Sequence, residues 1–273
     1  MKLNYKRTFL VGLAFLSICA FWQMYDNIIP LILQNTYHLG ETMTGAVMAL
    51  DNVLAIFLLP VFGALSDKVH TKLGRRMPFI VAGTILAVIF MMLLPMIDNA
   101  EKARWNTGES FSNQVIFLAV LFFTLVSMGL YRSPAVALMP DVTPNHLRSR
   151  ANAVINLMGA VGGVYALIMI KVLVGKGETP DYLPLFASIA AVMAIAVGIL
   201  VITIRENKLR EEVEKAEAAN AGTIEEKAMA EGVEAAGEIE AVGDTGEVKS
   251  FDGKKQTGKT EGTKGMPKEV KRS

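Results

Sequence analysis

Six apolar runs, each long enough to cross a bilayer, decide what this chain can become. They fall at about 8–33, 42–65, 78–97, 113–139, from just after Arg150 to 174, and 182–204. Roughly 20 residues at 1.5 Å per residue span about 30 Å of hydrocarbon, and each run reaches that length. With no water in the hydrocarbon, every backbone N–H and C=O in such a run needs a partner within the segment, which the α-helix provides. The expected fold class is therefore an all-α membrane protein of six transmembrane helices over residues 1–204. A hydrophobic content of 52% and a mean hydropathy of +0.39 over 273 residues agree, because that much apolar surface suits a soluble domain poorly unless it is gathered into spans.

The net charge of +1 hides a division. Residues 1–204 carry 14 Lys and Arg against 10 Asp and Glu, and residues 205–273 carry 13 against 16. The second stretch is rich in Gly, Glu, Ala, Lys and Thr, with Phe251 as its lone aromatic. It has too little apolar surface to offset the entropy of ordering, so residues 205–273 read as a charged, largely disordered cytoplasmic tail that opens with a charged helix over 206–220. Cys19 is the only cysteine, which excludes an intrachain disulfide. A basic start and an apolar stretch open the chain, but the apolar run continues past Phe21 without a small-residue cleavage site, unlike a signal peptide. Lys2, Lys6, Arg7, Lys68, Lys72, Arg75, Arg76, Arg148, Arg150, Arg205, Lys208 and Arg210 collect on one side of the spans, against Lys102, Arg104, Lys171 and Lys176 on the other. That excess places both termini in the cytoplasm, with the cell membrane as the expected location.

The hinge between the second and third runs, Gly63-Ala-Leu-Ser-Asp-Lys-Val-His-Thr-Lys-Leu-Gly-Arg-Arg76, carries the most specific pattern. Gly63 permits close helix approach, Asp67 is an acid at a helix end, and Gly74 precedes the cations Arg75 and Arg76. This order resembles the loop between the second and third helices of major facilitator superfamily transporters. The longer spacing between Asp67 and Gly74, running on into Arg76-Met-Pro-Phe-Ile80, resembles the sugar:cation symporter branch (glycoside-pentoside-hexuronide), in particular its sucrose-transporter-like members. A second hinge echoes the first, with Asp141 followed by Arg148 and Arg150. The echo points to internal symmetry between spans 1–3 and 4–6, the 3+3 inverted repeat found in each six-helix half of that superfamily. The resemblance covers residues 1 to about 204 and implies an N-terminal six-helix half, with 205–273 equivalent to the central loop.

Ionisable groups inside the spans give the functional expectation. Asp26 lies in the first span, Asp51 in the second and Arg132 in the fourth, and the interiors of the third, fifth and sixth are free of charge. A charge in hydrocarbon costs several kcal/mol unless it faces water or a partner, so these three are expected to border a cavity, with Arg132 paired to Asp26 or Asp51. Trp22 and Tyr25 flank Asp26, and Tyr131 adjoins Arg132. Aromatic faces beside polar groups suit a sugar, and Trp and Tyr also gather at membrane interfaces. Gln23, Asn27, Asn52, Asn152 and Asn156 are expected to join helices by hydrogen bonds, with contact to substrate as the alternative, and Gly159 with Gly163 to allow a close helix crossing. Melibiose-type members of the branch carry acids where this chain has Ala55 and Leu59, so the resemblance implies a proton as coupling ion.

The expected function is secondary active transport of a small solute, a sugar coupled to protons, by alternating access between two bundles. The expected partners are the substrate and proton, the lipid bilayer, and a complementary six-helix half or a second copy of the chain, with no nucleic acid. The alternatives are transport of a non-sugar solute, or a truncated or split half that acts only as a binding or scaffold protein. No span carries the paired-Asp, Ser/His or His/Glu arrangement that intramembrane catalysis requires, so the expectation is not an enzyme, with no cofactor and no metal.

Overall fold

The computed structural model describes residues 5–69, 71, 73–105, 113–175, 180–204, 206–215, 217–219 and 222. Of the charged tail expected over 205–273, residues 223–273 lie outside the described residues. Among the described residues, six helices are long and apolar enough to cross a membrane. The first is α1 (Tyr5–Asn35). The second crossing is made by α2 (Glu41–Met48) and α3 (Leu50–Lys68). Ala49 joins them in helical conformation (φ −73°, ψ −13°), its N–H donating to Gly45 O at 2.9 Å, so the crossing continues through the break. The others are α4 (Met77–Trp105), α5 (Gln114–Asp141), α6 (Arg148–Leu173) and α7 (Leu183–Thr203). All described secondary structure is helical apart from one isolated bridge between Thr71 and Gly74.

The packing obeys a symmetry that the two hinges foreshadow. Exchange α1 with α5, the α2–α3 crossing with α6, and α4 with α7. The pairing of α1 with α6 becomes that of α5 with α3, the pairing of α1 with α7 becomes that of α5 with α4, and α4 against α7 maps onto itself. All five pairings occur. Helices three crossings apart run in opposite directions, so the repeat is inverted. Glycines stand at the contacts of both pairs. A Cβ on Gly162 of α6 would strike the carbonyl of Leu16 on α1, and in the mate pair a Cβ on Gly63 of α3 would meet Ser133 Oγ of α5 at 3.3 Å. Ser133 Oγ also donates to Leu59 O at 2.7 Å, tying α5 to α3.

Small residues set these crossings because lipid tails are as apolar as leucine, leaving close van der Waals contact and hydrogen bonds to hold helices together. Gly83 lets α4 touch the α5 backbone, where an added Cβ would lie 2.6 Å from Tyr131 N. The expected close crossing at Gly159 and Gly163 occurs at Gly159 and Gly162 instead. Gly159 faces Cys19, while a Cβ on Gly163 would meet Gln23 Oε1 at 3.7 Å, an ordinary contact. The core holds Phe21, Tyr25, Phe117, Tyr131 and Phe186, whereas Val115 and Ile202 point outward. In lipid such outward apolar side chains are at home.

The third span outruns its expected end. Residues 98–105, charged and beyond the apolar run that ends at 97, continue α4, since the acids among them are buried with partners. Asp98 accepts from Lys102 Nζ and from Thr36 Oγ1, each at 2.6 Å. Lys102 Nζ also donates to Pro180 O at 2.7 Å and stands 4.5 Å from the centre of the Tyr182 ring. Glu101 accepts the Asn113 N–H at 3.0 Å. The charges thus staple α1, α4 and the starts of α5 and α7 together at this end.

Gly162→Val drives a side chain into the α1 backbone, and overpacking of this kind costs about 1–3 kcal/mol or more. It should lower the melting temperature of the detergent-purified protein by several degrees, whereas Gly163→Ala should leave it nearly unchanged in the same size-exclusion assay. Equal tolerance of both would contradict the α1–α6 contact.

Candidate functional site

Two polar centres stand out: one at the end of the bundle where the two hinges lie, the other within the spans. At the hinge end α3 stops at Lys68 and α4 starts at Met77. Gly74, between them, adopts φ +129°, a left-handed conformation that strains residues bearing a Cβ. Its carbonyl accepts Thr71 Oγ1 at 2.6 Å, closing the turn that delivers Arg75 and Arg76. The buried Arg76 donates through Nε to Asp141 and through Nη1 to Ser66 Oγ at 3.1 Å, and its Nη2 lies 3.0 Å from Asp67. Arg75 Nη2 lies 3.0 Å from Asp141 and 3.6 Å from Asp67. Burial lowers the pKa of Arg75, but the hydrogen bond to Asp141 and the charges of Asp141, Asp67 and Glu206 outweigh that, so its guanidinium stays charged.

Two long-range contacts complete this cluster. Asp141 does not pair with Arg148 or Arg150 of its own hinge; it reaches across to the arginines of the other. Arg148 instead donates to Thr143 O and Pro140 O, carbonyls at the end of α5 that the helix leaves unpaired, and Arg150 is exposed. The second contact is made by Glu206. Its side chain, 1% exposed, accepts the backbone N–H groups of Arg75, Arg76 and Met77 at 2.9–3.1 Å. These are the orphan donors at the start of α4, where the helix dipole also favours an anion. A Cβ on Gly74 would strike the Glu206 carboxylate, so that glycine serves the acid as well as the turn.

Residues 206–215 are helical, with Glu206, Leu209 and Val213 buried on one face. Arg7 Nη1 meets Glu212 at 2.8 Å and the Asn145 N–H donates to Glu217 at 3.0 Å. The compact unit accordingly runs through Gly222. Glu206 was legible in one respect, an acid directly beyond the last apolar run and level with Arg75 and Arg76. The charged, Ala-rich composition of residues 207–220 hid it.

The second centre lies between α1 and α6. A cleft of about 420 Å³ opens there, and its lining includes Cys19, Trp22, Gln23, Asp26, Asn156 and Gly163. Trp22 and Asp26 share it because they stand one turn apart. Tyr25 points the other way, fully buried against Phe21 and Trp22, with its hydroxyl unpaired. Asp51 lies in the first turn of α3, just past the break, and accepts Asn52 Nδ2 at 2.9 Å. Asp26 lies near enough to Asp51 for their charges to interact.

Neither expected ion pair forms: Arg132 meets neither Asp26 nor Asp51 and lies over the Trp22 ring, 5.5 Å from its centre. Trp22, a turn before Asp26, takes the cation on its face while Asp26 stays exposed. Tyr131 beside it is wholly buried, its hydroxyl 2.7 Å from Ser17 Oγ and donating to Ala14 O at 3.1 Å. The expected helix-joining amides do not join helices. Asn27 donates to Gln23 O on its own helix, and Gln23 and Asn156 are left facing the cleft.

Replacing Glu206 by Ala leaves three helix-start donors without their acceptor, a loss of about 1–3 kcal/mol. Limited proteolysis should then cut within 206–219 several-fold faster than in the unaltered chain, with Glu206→Gln intermediate. Unchanged protection would show that the carboxylate does not hold this helix.

A family model of the Major Facilitator Superfamily matches residues 11–245. Among similar curated proteins, sucrose transport protein SUT3 of Oryza sativa subsp. japonica is 26% identical over 137 residues, covering 47% of this chain and 27% of that protein. Sucrose transport protein SUC4 of Arabidopsis thaliana is 35% identical over 116 residues, 40% of this chain and 22% of that one. The chain therefore matches about a quarter of the length of these relatives.

Proposed function

The chain belongs to the Major Facilitator Superfamily, and from that premise we propose that it forms one wall of a pathway carrying a sugar, coupled to protons, by alternating access. The observation that carries this reading is Asp26, an exposed carboxylate without an ion partner among the described residues, at the mouth of a cleft within the first span. An unpaired carboxylate faces a large penalty in lipid, and a watery pathway removes it. Such a group takes up and releases a proton as the cleft changes access. Asp51, within range of its charge, places a second acid near the first. Arg132 holds Trp22 from one side and leaves the ring to pack against the C–H face of a sugar. The names of the relatives, sucrose transport proteins, support the choice of solute.

Alternating access needs a second wall. Of the residues of α3, only Ser66 is buried, leaving this crossing with Ile56, Phe57 and Val61 exposed. That face supports a complementary six-helix half, or a second copy, packed against it. The hinge end, with its excess of cations, then lies in the cytoplasm of a cell-membrane protein. There the cluster of Asp67, Arg75, Arg76 and Asp141 fastens α3, α4 and α5 into a body that moves as one.

Proteoliposomes carrying the chain with its complementary half should accumulate radiolabelled sucrose when an inward proton gradient is imposed. Asp26→Asn should abolish gradient-driven uptake, and Arg132→Ala should lower it at least ten-fold, while both variants insert normally. Binding of sucrose without flux would favour a scaffold, and uptake unchanged in both variants would exclude these residues.

A further inference from the structure

We propose that the α1–α6 cleft is a recognition subsite for uncharged, hydroxyl-rich solutes, with Gln23 and Asn156 as its specificity-determining residues; the inference rests on the transport reading above. Gln23 and Asn156 approach the cleft from different helices. An amide side chain offers both donors and an acceptor, the complement of a hydroxyl, which also does both. Within a span such amides ordinarily hydrogen-bond across helices. Neither does so here, although Asn27 donates to the backbone carbonyl of Gln23. Their amides are left to the cleft, and Trp22 adds an indole face with its Nε1 buried and unpartnered.

The cleft is kept open by what its floor lacks. Gly159 and Gly163 carry no side chain into it, and a Cβ at Gly159 would press on Cys19 Sγ at 2.9 Å. Its charge decides between classes of solute. Asp26 contributes a carboxylate, no Lys or Arg is among the described residues that line the cleft, and the nearby Arg132 is held over the Trp22 ring. Beside an ionised Asp26 a carboxylated sugar would bring a second negative charge, and like charges repel. Neutral glycosides meet no such barrier. Discrimination between the two thus comes from a repulsive element as well as from matching hydrogen bonds.

Cys19, the sole cysteine, lines the same cleft and reports on its occupancy without any engineered thiol. In membranes of cells producing the chain together with its complementary half, N-ethylmaleimide should alkylate Cys19, and saturating sucrose should slow the reaction several-fold while glucuronate leaves it unchanged. Gln23→Ala and Asn156→Ala should each remove the shielding by sucrose and keep the unshielded alkylation rate, which shows that the cleft is still formed. Asn152→Ala, outside the lining, should keep the shielding. Sucrose uptake by the same cells without any shielding would overturn the subsite and leave the transport reading standing. Loss of both uptake and shielding would overturn both. Shielding by glucuronate in preference to sucrose would overturn the selectivity and shift recognition to Arg132.

Discussion

The aversion of charge and unpaired backbone to hydrocarbon organises this molecule. Helices satisfy the backbone within each crossing, so the remaining problem is where to put the ionisable side chains. They are disposed in three ways. At the far end Asp98 and Glu101 are buried, Asp98 against the half-buried Lys102 and Glu101 against the Asn113 backbone. At the hinge end two arginines and three acids interlock. Within the spans Arg132 rests on an aromatic ring and Asp26 opens onto a cleft. The first two arrangements fix structure. The third leaves a carboxylate with no cation among the described residues to neutralise it.

The inverted repeat shows how one set of contacts serves twice. Each triplet of crossings cannot cover its own faces, but interleaving it with an upside-down copy pairs α1 with α6 and, by the same rule, α5 with α3. The symmetry is broken where function is expected. On the α1–α6 side the glycines of α6 let the helices meet at Leu16 while leaving the cleft farther along, around Asp26. On the α3–α5 side Ser133 ties the helices with a hydrogen bond to Leu59 O.

Much of the fold was legible because the signals were local. Apolar length gave six crossings, and the paired hinges gave the repeat. The ends were less legible, because the rule that places charges in loops fails when buried partners satisfy them, as for Asp98 and Glu101 in the last turns of α4. Long-range pairing was least legible. Sequence separation gave no means of matching Asp141 to Arg76 rather than to Arg148, or of seeing that Glu206 would cap α4 across 130 positions. In the site, Asp26 and Trp22 were recoverable from their shared turn. The resting place of Arg132 was not, because a cation between an aromatic face and an acid is decided by distances of a few ångströms.

The central claim is that the cleft at Asp26 is wetted while the outer faces of the bundle are not. Its most direct test places a single thiol at each site in a Cys19→Ala background and exposes intact membranes, from either side, to a charged, membrane-impermeant thiol reagent. Asp26→Cys should react, because a thiolate forms only in contact with water, and Ile202→Cys, on the lipid face of α7, should not. If Asp26→Cys proved as inert as Ile202→Cys, the carboxylate would lie in lipid or sealed protein, and the reading of this bundle as the wall of a solute pathway would be wrong.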